Sequence, residues 1–125
     1  MAEILVPLQP VELVERLQHQ RVVLAFLDEP LARAAQAARV EVLQRIADRI
    51  LPDDPAQMTL WDALFDVLTE LHTLEHEIRS FEQQGDFGTA YVALTQSYMA
   101  ARATRAQLRI DIAAGLALIV GSDDH

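Results

Sequence analysis

Apolar residues along this chain recur at steps of three and four over four successive stretches, and no stretch alternates with a period of two for long enough to make a strand. The firmest stretch spans 59–84, where Leu60, Leu64, Val67, Leu71, Leu74, Ile78 and Phe81 form one row with the a/d spacing of packed helices. Beside it Trp61, Phe65 and Leu68 form a second row, so the first half of this predicted third helix calls for burial by two or more neighbours. Thr59 with Asp62 three residues on predicts a capping box at its start, and Gly85 a C′ residue at its end.

The other three helices follow from the same period. Pro7 and Pro10 make 1–10 an extended lead-in, and the first helix covers 11–27 on Leu13, Val14, Leu17, Leu24 and Leu27. Asp28-Glu29-Pro30 stops it and restarts the chain, with Asp28 as the cap of a second helix over 31–51. There Leu31, Ala35, Ala38, Val42, Ile46 and Ile50 are expected inward, and Arg33, Arg39, Arg45 and Arg49 mostly outward. Pro52-Asp53-Asp54-Pro55 ends it. The short turn at 84–88 returns a fourth helix antiparallel to the third, over 89–120, on Tyr91, Leu94, Tyr98, Ala101, Leu108, Ile112 and Ile119. Gly115 is the place where it would loosen or kink. From Ile112 onward this helix is apolar nearly all round, so its end must be buried in the core or against another chain.

The predicted fold is therefore all-α: an antiparallel four-helix bundle with long third and fourth helices, completed by dimerisation if one chain cannot cover their apolar surface. One domain over 11–120 is expected, followed by a flexible acidic tail over 121–125. A chain of 125 residues with 51% hydrophobic content supports one core and not two.

Charge sharpens the picture. The net charge is -9, and nine acidic residues fall within 51–88 against the single basic Arg79. That surface makes nucleic acid an unsuitable partner and a protein of basic surface a suitable one. The longest apolar run, 112–120, is far short of the roughly 20 residues of a membrane span. No charged leader precedes the first apolar residues, so a cytoplasmic location is expected. Ten Arg with no Lys and no Asn read as the codon bias of a GC-rich genome, with a bacterial source as the expectation. The absence of Cys excludes disulfides, thiolate metal sites and cysteine nucleophiles.

Two constellations remain that could carry chemistry. His72, Glu75 and His76 have metal-ligand spacing on one helix, two imidazoles four apart with a carboxylate between, and would take a transition metal. As a string they match the five-residue inverted zinc-protease pattern, and His72 with His76 matches one piece of a hemerythrin-like bundle. The first, however, belongs to a much larger fold with a further acidic ligand, and the second needs several more His and carboxylate ligands on other helices. On the fourth helix Arg102, Arg105 and Arg109 form a stripe suited to an anion or a partner's carboxylates. If the hairpin folds about 86–87, facing residue numbers sum to roughly 173, for antiparallel helices of equal rise. Arg102 is then level with Glu70, Arg105 with Asp66 and Arg109 with Asp62, a structural seam that would compensate the acidic stripe Asp62, Asp66, Glu70 and Glu77.

Nothing else suggests catalysis: no Ser has a neighbouring His, and no glycine-rich phosphate loop is present. The reading is a non-enzymatic helical bundle without a cofactor, acting by self-association as a dimer or by binding a protein, with Trp61, Phe65, Leu116 and Ile119 as interface candidates. The alternative is a bundle that binds a small ligand or metal through the His72 cluster or the Arg102 stripe.

Overall fold

The computed structural model describes residues 9–123, which form a bundle of four helices: α1 (Pro10–Phe26), α2 (Pro30–Ile50), α3 (Pro55–Gln83) and α4 (Thr89–Asp123). Of the lead-in expected over 1–10, residues 1–8 lie outside the described residues, as do the last two of the tail, and Pro10 already belongs to α1. Where the sequence reading put a flexible tail from 121, α4 stays helical to Asp123.

The helix starts show which local signals win. A proline stands in the first turn of α1, α2 and α3, where its missing N–H costs nothing. Glu29, not Asp28, caps α2, accepting from Leu31 N at 3.1 Å and Ala32 N at 2.6 Å. Those two N–H bonds, Ala32 first, hold its carboxyl below the usual glutamate range. Similarly α3 begins four residues before the Thr59 box. Asp54 Oδ2 accepts from Gln57 N at 2.9 Å, and Thr59 turns its hydroxyl back onto Pro55 O at 3.1 Å. The end of α3 is as expected, with Gly85 at φ 68 and Asp86 N bonded back to Phe81 O at 3.0 Å, a Schellman arrangement.

Packing is uneven among the four. The α1 helix touches all three others and α3 lies along α4, while α2 meets only α1 along its length. The core therefore sits between α1, α3 and α4, on Val14, Leu64 and Ile112, with Leu17, Val67, Leu71 and Leu116 around them. Of the predicted α3 row, Leu64, Val67, Leu71 and Leu74 are buried, and Leu60, Ile78 and Phe81 are partly buried. Trp61 and Phe65 of the second row are partly buried.

The second helix overturns an expectation. Its inner face is Gln36, Val40, Leu43 and Ala47, while the row expected inward faces solvent, with Leu31 81% and Ile50 62% exposed and Val42 and Ile46 exposed too. The cause is polar. Arg33 Nη1 donates to the terminal carbonyls of α1, Leu24 O at 2.8 Å and Leu27 O at 3.2 Å. Gln36 Nε2 donates to Gln20 O at 2.9 Å and to Gln20 Oε1 at 2.6 Å. A tight joint brings Arg33 under the end of α1, where it satisfies terminal carbonyls, while buried Gln36 bonds to Gln20 further back along α1, and together these bonds hold the rotation of α2.

Gly115 does not break α4. Its missing side chain makes room for buried Gln57, since a Cβ there would stand 2.2 Å from Gln57 Nε2. Gln57 Nε2 donates to Ile112 O at 3.4 Å and its Oε1 accepts from Trp61 Nε1 at 3.0 Å. One buried amide thus bolts α3 to α4 and anchors the tryptophan. Among the described residues no helix is long and apolar enough to cross a membrane.

Candidate functional site

The α3–α4 hairpin adopts the expected register, but not the expected charge pairing. Tyr98 OH donates to Glu75 Oε1 at 2.9 Å and Tyr91 OH to Glu82 Oε2 at 3.2 Å, both pairs lying on the antiparallel register. Donation to Glu75, then burial and the Glu75 charge, raise the Tyr98 pKa above 10, with Arg102 and Arg105 pulling the other way. The arginines turn instead to α1. Glu15, mostly buried, pairs with Arg105 at 3.6 Å and with Arg109 in a closer contact. Asp62, Asp66 and Glu70 stand on the side of α3 opposite its buried row, where α4 cannot reach, and are exposed. Among the described residues they form no ion pair, and Glu77 forms none either.

Arg102 is left without a carboxylate; its guanidinium lies 6.0 Å from the Tyr98 ring centre. It lines, with Arg105, a small cleft of about 100 Å³ where three helices meet. The first helix brings His19, the third His72 and Glu75, the fourth Tyr98 and the two arginines. The floor is apolar: Val22, Leu68 and Leu71.

The predicted metal cluster straddles two depressions. His72 and Glu75 line this cleft, and His72 also lines a neighbouring depression with His76, Phe26, Thr73 and Glu77. The His72 ring also stacks on Phe26 at 4.1 Å between centres. Among the described residues no three His, Asp or Glu side chains are arranged to hold a metal ion. The larger cleft, about 540 Å³, opens between α2 and the start of α3, with Leu17, Leu51, Met58 and Trp61 in its wall and Asp48, Asp53 and Asp62 at its mouth. It exists because α2 packs on α1 alone.

Of the predicted interface residues, Leu116 is 3% exposed and belongs to the chain's own core, and Trp61, Phe65 and Ile119 are partly buried. The apolar surface that does face solvent lies elsewhere. Opposite its core side, α4 carries a second row: Val92, Met99, Ala103, Ala106, Ile110 and Ala117, all exposed, with Met99 at 64% and Ile110 at 60%. Sequence reading missed this row because its small alanines do not stand out beside the bulky Tyr91 to Ile119 seam. Glu15 and His19 were missed for another reason, since the α1–α4 register does not follow from any turn.

Comparison of the chain with protein-family models, with curated proteins and with solved structures finds no match.

Proposed function

We propose that this protein works by association, forming a two-fold dimer through the outer row of α4. The observation that carries the reading is the row's own symmetry. Measured from its midpoint between residues 104 and 105, Met99 mirrors Ile110, Ala103 mirrors Ala106, and Val92 mirrors Ala117. An antiparallel two-fold contact is self-complementary when large residues oppose large and small oppose small. Here Met99 would meet Ile110 of the partner subunit, while the alanines let the two helix axes approach closely at the centre.

Charge favours the same face. Residues 89–119 of α4 carry three arginines and one acidic residue, against the acid-rich α3. Contact through α4 keeps two chains of net charge -9 from facing each other with their carboxylates. The α3 stripes then point outward, where they would steer a protein of basic surface.

The test exploits the absence of native Cys. A Met99→Cys, Ile110→Cys double variant should form a covalent dimer rapidly on mild oxidation, because both cysteine pairs close across the two-fold. A control Thr73→Cys variant, on the outer side of α3, should not. Equal rates for the two would sink the α4 contact.

A further inference from the structure

Beyond association, we infer that the cleft between α1, α3 and α4 is a binding site for a small oxyanion of the phosphate class, with Arg102 and Arg105 as the principal ligands and His19 and His72 as flanking donors. The inference starts from unused donors. Among the described residues Arg102 has no ion pair, His19 has no hydrogen bond, and His72 has only its ring contact with Phe26. Arg105 is held by Glu15 at 3.6 Å, longer than a direct hydrogen bond, which leaves N–H groups to spare. Two guanidinium groups one helical turn apart, with imidazoles from two other helices, converge on about 100 Å³. That space admits an anion of phosphate size and no extended molecule.

The sign of the site is set by its residues. A cation would lie between two permanently charged guanidinium groups, so a metal is disfavoured even though His19, His72 and Glu75 are of ligand type. Glu75 opposes an anion, but one of its oxygens accepts from Tyr98 OH. The apolar floor of Val22, Leu68 and Leu71 strengthens each charged contact by excluding water from below. Free phosphate and the terminal phosphate of a small monoester present the same chemistry here. The cleft is built from α1, α3 and α4 of one chain, so the site does not require dimerisation, although Ala106 of the outer α4 row adjoins Arg102 and Arg105.

The experiment is a titration of the full chain with inorganic phosphate at constant ionic strength set by chloride, read by NMR of the four histidine ring C–H signals. His19 and His72 should shift in saturable fashion, and His76 should not. Repeating it with phenyl phosphate separates the sources: tighter binding assigns a monoester, equal or weaker binding assigns free phosphate.

Arg102→Ala should weaken phosphate by about tenfold, the scale of one charge-assisted hydrogen bond. Glu75→Gln, which keeps an acceptor for Tyr98, should tighten it. Glu77→Gln makes the same charge change on the outer side of α3 and should leave the affinity unaltered. The inference is overturned if the histidines shift together without saturation, if Glu77→Gln acts as Glu75→Gln does, or if zinc alone shifts His19 and His72 while phosphate does not.

Discussion

The two hairpins of this bundle are built by opposite means. In α3–α4 an apolar row on each helix chooses the inward face, and tyrosine–glutamate bonds pin the register afterwards. In α1–α2 the inward face of the second helix is chosen by Arg33 and Gln36, and the richer apolar row is left outside. Hydrophobic periodicity identifies a face when a helix has one such row. In α2, which offers two rows, the inward one is the row whose polar members bond to α1.

The contrast can be broken most forcefully in the core. Leu64→Ala, at a fully buried site, should cost about 2–5 kcal/mol in denaturant unfolding, while Val42→Ala on the outer row of α2 should cost no more than about 0.5 kcal/mol. Comparable losses at the two would mean that the outer row of α2 is in fact a core face. Next in size is Gln36→Ala, expected to cost about 1–3 kcal/mol because it strips the buried amide from Gln20 and reopens the choice of α2 face. A neutral result would leave the rotation of α2 without its stated cause.

A double-mutant cycle sharpens the other hairpin. Gly115→Ala alone should be neutral or destabilising, since the new methyl displaces Gln57 from Ile112 O and Trp61. In a Gln57→Ala background the same change should stabilise by about 1 kcal/mol, the ordinary helix preference for Ala over Gly. Additive effects would show that the amide is no bolt. The smallest effect is electrostatic. With its pKa raised above 10 by Glu75, Tyr98 keeps its proton through the ordinary tyrosine range, and the stability from that bond is lost only as pH rises through the raised value. An absorbance titration should therefore show Tyr98 titrating late, and moving back towards the ordinary range in Glu75→Gln as the carboxylate charge is removed while burial still raises it.

Much of the architecture was legible in the chain. Four helices, the core row of α3, the turn at Gly85 and the hairpin register all follow from period and breakers. The start of α3 was not, because Pro55 with Asp54 before it is as good a beginning as Thr59, and the earlier one also places Gln57 under Gly115. The candidate site was half legible. Arg102, Arg105, His72 and Glu75 stood out by type and spacing, but which helix the arginines would face depended on α1, whose distance in sequence hides Glu15 and His19. The α4 outer row escaped because alanines carry little weight in a hydrophobic pattern, yet at a close helix contact they are what allows approach.

Sedimentation equilibrium of the untagged chain beside its Ala106→Glu variant tests the central claim most directly. Association through α4 requires a mass of twice 14.0 kDa for the parent at micromolar concentration, and a folded species of 14.0 kDa for the variant, whose substitution lies on an exposed face. A parent of 14.0 kDa, or a variant that stays dimeric, would contradict it.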